Sequence, residues 1–378
     1  MRNNFIYTLY IVTTFTLIVC INSCATEVEE KKVAEQETTS VDNNNVEQDK
    51  DSTYAAYLFS RNVKSITAHY YSYKFGLPVE NPATLFTTSY NDKGLLLDSM
   101  IYQGTSYIGK LSKAYDSEDR LITTSLIDSS GNVGQVMNRT FNSDGLENSF
   151  EMEESDVLQY AQKKEYDSKK RLAKITEYDA NGKARIVTQF EYNDADMVTS
   201  KSEFNAKGDV VFKQTMAYNE KGYKTIQTVY DFQGNVTEKN FLSDFDTHGN
   251  ARLIEKYDAA DSLEVVYKYE YDINGVEVRN LILNGANQLI RESQTTLDAR
   301  GNQTGYAIFE APKGFVGQDI LEFDSLDREV EMLVIGPDKK QIKRKVTSYN
   351  ERDLLNEIIN YNSVDEPVFK ILYSYEFF

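Results

Sequence analysis

Residues 175–209 read ITEYDANGKARIVTQFEYNDADMVTSKSEFNAKGD, and the same phrase occurs three times within them: an aromatic, an Asp or Asn, two loose residues, then Gly or Asp. The residue before each Asp or Asn serves as an anchor. From Tyr166 the anchors run Tyr178, Tyr192, Phe204, Tyr218, Tyr230, Phe245, Tyr257, Tyr271, Leu283, Leu297, Phe309, Phe323, Ile335, Tyr349, Tyr361 and Tyr375. Their spacing alternates between 12 and 14 residues, with one interval of 15 before Phe245, so a two-part unit of 26 residues recurs. Upstream, Tyr90, Tyr115, Ile127 and Phe141 keep the rhythm, and a degraded copy lies near Met152. A repeat of this length is a supersecondary unit that stacks on its neighbours.

Between anchors lie seven to nine residues rich in Val, Ile, Thr, Tyr and Phe, such as KTIQTVY and LEVVYKYEY, which is strand length and strand composition. Asp or Asn accepts a bond from the backbone two residues on and opens a type I turn, and the turn then needs a left-handed residue. That pairing is expected at Asp179 with Gly182, Asn205 with Gly208, Asp231 with Gly234, Asp246 with Gly249, Asp272 with Gly275 and Asp298 with Gly301. Where Gly is missing, the replacement is usually Asp or Asn (Asp119, Asp196, Asp261, Asn287, Asp327, Asp353, Asp365), and these side chains best tolerate positive φ. The phrase is thus a hairpin turn with a Gly bulge.

The expected fold is all-β: a long antiparallel meander of repeated β-hairpins, with a 26-residue, two-strand unit, twisted or coiled into an open trough, spiral or shell. Odd turns fall along one edge and even turns along the other, so anchors on one edge are expected to stack as an aromatic ladder. Twenty-odd strands at about 4.8 Å would span on the order of 100 Å if flat, and twisted sheets that wide curl.

Composition agrees: 27 Tyr and 19 Phe stand against no Trp, 5 Pro and 2 His in 378 residues, an aromatic excess typical of strands. The formal charge is -18. An acidic body lacks the basic footprint that phosphate backbones require, so nucleic acid is not an expected partner. Both cysteines, Cys20 and Cys24, precede residue 25, so the body holds no disulfide framework, thiolate zinc site or thiol nucleophile.

The chain opens MRNNFIYTLYIVTTFTLIVCINSCATEVEE, with a positive Arg2 and an apolar run from Phe5 to about Val19, the pattern of a secretory signal. Its end, INSC, resembles the lipobox of bacterial lipoproteins, which implies lipidation of Cys24. Residues 1–23 are then a signal peptide and residues 24–52 the lipidated cysteine with an acidic tether too poor in apolar groups to fold. Residues 53–378 form the repeat domain. The resemblance places the protein at the outer membrane, on the cell surface or the periplasmic face, attached through its N-terminal lipid.

The repeats resemble the YD repeats of Rhs-type proteins, whose phrase is roughly Tyr-Asp-x-x-Gly-Arg-Leu. YDSEDRL at Tyr115, YDSKKRL at Tyr166 and YDFQGNV at Tyr230 carry the likeness, and SRNVKSITAHYYSYKFG at residues 60–76 resembles the lead-in strand of small YD-repeat lipoproteins. It covers roughly residues 60–378. Large Rhs proteins look like shells around a C-terminal toxin; this chain's last residues, YSYEFF, continue the repeat.

Chemistry is sparse. His69 and His248 are the only imidazoles, and no GxSxG, HExxH, P-loop or dinucleotide motif occurs in a suitable context. DANGK at Asp179 and DINGV at Asp272 look like fragments of calcium loops but lack the closing bidentate acid. Charges on both faces of strands such as RLAKITEY argue against a lipid-facing barrel. No catalytic residue, cofactor or metal is assigned. The expected function is a binding or scaffold surface for a glycan or an envelope or extracellular protein. The alternatives are an envelope polysaccharide hydrolase, with the irregular stretches at Tyr102–Gly109 and Glu310 as its places, and a structural Rhs-like shell element.

Overall fold

The computed structural model describes residues 53–378; the expected signal peptide, Cys24 and tether lie outside the described residues. Residues 53–59 form a short helix, α1. Twenty-five strands follow, from β1 (Val63–Lys74) to β25 (Pro367–Phe377). The second strand, β2 (Leu77–Pro78), pairs only with the end of β1 in a small tongue. Every other strand pairs antiparallel with its neighbours along the chain.

The sheet is not the open trough or spiral expected from the sequence. β1 pairs on one side with β3 (Ala83–Tyr90) and on the other with β25, from Val63↔Phe377 to Ser72↔Phe369, so β1 and β3 to β25 close into a twenty-four-stranded barrel. Closure follows from constant register drift. Every hairpin of the barrel except the one at Asp246 carries a bulge, and a path followed across all the ladders returns to its starting strand roughly 24 residues farther along, a shear matched to the strand number. An open meander would leave β1 and β25 as bare edges; the closing ladder satisfies both. With strands about 4.8 Å apart and the usual lean of about 40°, the ring is about 45 Å across and about 22 Å tall.

Directly opposed residues share a face, so the pairings sort every side chain onto one of two sides. Strands of a barrel always lean in one sense because sheet twist has a fixed hand, and the direction in which the register climbs therefore identifies the inner side. Ile66, Phe86, Ile101, Leu111, Met332, Ile371 and Tyr373 belong to it, and all are buried. The outer side carries Lys110 with Asp98, Lys174 with Glu165, Arg279 with Glu270 and Glu292, and Lys370 with Glu357, each an ion pair across or along the strands. Charges through its middle mean that the wall presents no continuous lipid-facing apolar band.

The two rims differ. The entry rim receives α1 and holds the turns at Asn91, Asp116, Asn142, Asp167, Asn193, Asn219, Asp246, Asp272, Asp298, Asp324 and Asn350. The far rim holds those at Asp128, Asp179, Asn205, Asp231, Asp258, Asn284 and Asn362, together with the β1–β2 tongue. Entry-rim anchors such as Tyr115, Tyr192, Tyr218 and Tyr349 face the lumen, whereas far-rim anchors such as Tyr178, Phe204, Tyr230 and Tyr361 face outward.

Candidate functional site

Each expected turn pair occupies a tight turn. The Asp179 carboxylate accepts main-chain N–H bonds from Asn181 (2.9 Å) and Lys183 (3.0 Å), while Gly182 N–H donates to Asp179 O (2.9 Å) and has φ 71°. Asn205 with Gly208, Asp231 with Gly234, Asp246 with Gly249, Asp272 with Gly275 and Asp298 with Gly301 repeat this geometry. These residues are dispersed around both rims and form no common site. The same bonds hold the Asp179 and Asp272 carboxyls below the usual carboxylate range and occupy the oxygen a cation would need. Among the described residues, no group of three His, Cys, Asp or Glu is placed to hold a metal ion.

The expected aromatic ladder is replaced by another device. Anchors on one rim belong to alternate strands and so stand about 9.6 Å apart, beyond stacking range. Instead seven entry-rim tyrosines reach back to the preceding strand's first residues. Tyr115, Tyr166, Tyr192, Tyr218, Tyr271, Tyr349 and Tyr375 donate O–H bonds to the main-chain oxygens of Leu96, Glu147, Leu172, Val198, Ala251, Glu329 and Leu355.

Arginine completes the stitch. Arg171 grips its own turn's Asp167 through Nε (2.7 Å), stacks its guanidinium 4.4 Å from the centre of the Tyr192 ring and pairs with Asp196 of the next turn. Arg328 does the same with Asp324, Tyr349 and Asp353, and Arg120 with Asp116 and Phe141. Hydrogen bonds from the arginine's main chain and side chain keep Asp116 and Asp167 ionised to lower pH than usual. The sequence held a signal for this brace, since Arg stands five residues after Tyr115, Tyr166 and Phe323, all entry-rim anchors.

The seam is locked by α1. Leu58, Leu354 and Val63 are the most completely buried large side chains of the described residues. A Cβ on Gly94 would meet Ala55 O at 2.1 Å, so the helix backbone rests directly on this turn. Tyr57 O–H donates to Asp353 O (2.6 Å), and Arg61 Nε donates to Arg352 O (2.8 Å). The Tyr54 hydroxyl lies against Tyr90 and Tyr375, and burial pushes it well up although 39% of the residue stays exposed. Because Tyr90 and Tyr375 face the lumen, α1 sits over the inner side of the entry mouth.

Four lysines of the lumenal wall pair with carboxylates, Lys164 with Glu147 (2.8 Å), Lys201 with Glu203 (2.9 Å), Lys256 with Glu238 (3.0 Å) and Lys345 with Glu329 (2.7 Å), while Glu177, Arg291, Asp319 and Lys343 also face the lumen. At mid-height the inner side carries uncharged polar groups, among them Thr88, Ser99, Thr124, Thr188, Gln214, Asn240 and Thr347. On β17 (Leu263–Tyr271) three half-buried tyrosines, Tyr267, Tyr269 and Tyr271, form a file of near-parallel rings with centroids 6.5 and 6.2 Å apart. Burial, with Glu277 nearby, pushes the Tyr269 hydroxyl to about 12. Asn280 lies directly opposite Tyr269 on the next strand. The wall can offer aromatic faces and neutral hydrogen-bonding groups.

The other sequence candidates stay apart. His69 is on the outer side of β1 and His248 at an entry-rim turn. Tyr102–Gly109 and the stretch at Glu310 form far-rim hairpins closed by edge-to-face pairs, Tyr102–Tyr107 at 5.8 Å and Phe309–Phe315 at 5.6 Å.

No protein-family profile and no curated protein matches the chain. Among solved structures, it is similar to the crystal structure of TcdB2-TccC3-TEV (12% identity, TM-score 0.35), covering 76% of this chain and 16% of that one. The Photorhabdus luminescens Tc holotoxin pore is similar at 12% identity and TM-score 0.31, over 78% of this chain and 19% of that one. A porin-like protein from Bacteroides uniformis shows 10% identity and a TM-score of 0.20, over 83% and 98% of the two chains. The chain thus spans a fifth or less of the Tc structures it matches.

Proposed function

We propose that the protein is an envelope-anchored scaffold, of the YD-repeat kind, whose lumenal wall binds a neutral glycan chain. The observation that supports it is the lumenal aromatic file: the inner side offers Tyr267, Tyr269 and Tyr271 beside uncharged hydrogen-bonding groups such as Asn280, Gln214 and Asn240. Sugar rings present apolar faces to aromatic side chains and hydroxyls to amides, and a neutral polymer pays no electrostatic penalty against an acidic body. A lipid on Cys24 holds the barrel at the outer membrane in this reading.

The test is titration of the full chain against a panel of neutral polysaccharides, with Tyr267→Ala/Tyr269→Ala on the inner side and Tyr257→Ala on the outer. The expectation is saturable binding, weakened at least about tenfold by the inner pair, from roughly 1 kcal/mol lost per aromatic contact, and unchanged by Tyr257→Ala. Absence of binding, or equal loss from the outer variant, refutes the lumenal assignment. Fatty-acid labelling that survives Cys24→Ala refutes the anchor.

A further inference from the structure

We propose that Lys224, Gln227 and Asn240 form a subsite of the lumenal wall for a sugar acid, seating the carboxylate of a uronic acid residue in the bound chain; the inference rests on the lumenal glycan reading above. The repeat itself marks the place. Strands that leave the entry rim begin with a residue laddered to an entry-rim anchor, as Glu147 is to Phe141 and Glu329 to Phe323. Both of these charges are neutralised by the next strand: Glu147 meets Lys164 at 2.8 Å, and Glu329 meets Lys345, sixteen residues on, at 2.7 Å. Lys224, first residue of β14 (Lys224–Tyr230) and ladder partner of lumenal Tyr218, holds the same position with the opposite charge. Sixteen residues on stands Asn240, which cannot neutralise it.

The ammonium is held in place and unpaired. Lys224 Nζ donates to Gln227 Oε1 at 3.0 Å, and among the described residues no carboxylate lies within ion-pair reach of it. Burial pushes its pKa down, the direction expected of a half-buried cation with no counter-charge. Other lumenal cations differ: Arg291 stands directly opposite Glu310, and Lys343 lies near Asp319. Because Gln227 gives its oxygen to the lysine, its N–H groups remain to donate. Asn240, directly opposite Gln227 on β15 (Val236–Phe245), is only 7% exposed. Its Nδ2 donates to Glu238 at 2.8 Å, which fixes the orientation of the amide and leaves Oδ1 buried without a partner.

This set of groups selects its ligand. A carboxylate takes two donors side by side, here the ammonium and the Gln227 amide, and the charge makes those bonds strong. A hydroxyl of the same sugar ring supplies the donor that Asn240 Oδ1 lacks. A uronic acid carries both groups, whereas a neutral sugar leaves the ammonium without a counter-charge and an amino sugar meets like charge. Tyr267 lies two strands from Asn240, about 10 Å away, so one chain can rest on the tyrosine file and reach Lys224. The body as a whole is acidic, at -18, which favours a chain that is neutral elsewhere.

The experiment is calorimetric titration of the full chain with two probes, a linear glucose hexasaccharide and the same hexasaccharide oxidised at C6 of its terminal residue to the uronic acid. Wild type is expected to bind the acid form at least about tenfold more tightly, as one charge-assisted contact supplies, with the preference fading as salt rises. Lys224→Gln is expected to abolish the preference. Lys239→Gln, which removes the same charge from the outer side next to Asn240, is expected to keep it. Equal wild-type affinity for the two forms overturns the proposal, as does a preference that survives Lys224→Gln or is lost in Lys239→Gln. A second readout separates the subsite from the wider glycan reading: glucuronate alone should move the Lys224 side-chain NMR resonance, assigned by its absence in Lys224→Gln. If neither hexasaccharide binds and glucuronate moves that resonance, the wider reading fails and the subsite stands; if glucuronate leaves it unmoved, the subsite is overturned. Inorganic phosphate moving it as strongly overturns the sugar acid in favour of a general anion site.

Discussion

Removing one hydroxyl from a tyrosine staple isolates the device that holds neighbouring hairpins together. Tyr218 donates to Val198 O at 2.7 Å from a half-buried position, and Tyr218→Phe deletes that bond while leaving the ring in place. A hydrogen bond of this kind contributes about 1 kcal/mol net, and the orphaned carbonyl raises the cost towards 2 kcal/mol. Unfolding entropy of about 2.1 cal/mol/K per residue over roughly 330 ordered residues gives about 0.7 kcal/mol/K, so one staple should lower Tm by about 2 °C. The staples are about 9.6 Å or more apart and share no partners, so their costs should add. Converting Tyr115, Tyr166, Tyr192, Tyr218, Tyr271, Tyr349 and Tyr375 together to Phe should therefore lower Tm by at least about 10 °C. The assay is calorimetry on the seven-site variant, with Tyr178→Phe/Tyr230→Phe/Tyr361→Phe at the far rim as control, since those rings make no such bond to a main-chain oxygen among the described residues. A seven-site variant that melts within about 3 °C of wild type, or a control that loses as much, would refute the stitching argument.

The braced aspartates predict acid sensitivity. The carboxyls of Asp116 and Asp167 have folded pKa values below their unfolded ones, because main-chain and guanidinium hydrogen bonds favour the ionised form. Their stabilisation is therefore present above the unfolded carboxylate pKa and lost as pH falls through the depressed folded values. Tm should be flat from neutral pH to about 5 and fall below about 4, with a shallower fall in Asp116→Asn/Asp167→Asn; an identical acid limb in that variant contradicts the assignment. Gly94→Ala should unseat α1, because its Cβ would meet Ala55 O at 2.1 Å and the backbone has φ 79°; cleavage of residues 53–62 should then become faster in limited proteolysis, and wild-type protection would rule out the contact. Barrel closure predicts tolerance to circular permutation: Phe378 N–H donates to Asn62 O at 3.0 Å, so a chain joined there by a short linker and opened at the Asn284 turn should keep the wild-type circular dichroism and mass. Failure of that permutant to fold, while one opened at Asp179 also fails, would argue against the closing ladder.

Much of this architecture is local and so was legible in the chain. A 26-residue rhythm with Asp or Asn and Gly at fixed offsets dictates a type I turn with a left-handed residue. It does so at Asp179 with Gly182 as at Asp298 with Gly301, because side chain and φ act within five residues. Strand length and antiparallel order follow from the same punctuation. The arginine brace was written in the sequence as an Arg five residues after Tyr115, Tyr166 and Phe323, but its partners Phe141, Tyr192 and Tyr349 lie 21 residues beyond it, and only the ladder shows that these meet.

The tertiary structure decided closure, and with it which side is a lumen. Register drift accumulates over twenty-four ladders, and no single hairpin reveals whether β1 will meet β25. The same closure sorts anchors that look alike in sequence into two classes, lumenal at the entry rim and outward at the far rim. Tyr218 thereby becomes a staple while Tyr178, on the same phrase, faces the outer water. Sequence alone specified the hairpin, because its forces act across a few residues; the barrel is a sum over all of them, and a sum is fixed only when every ladder is in place.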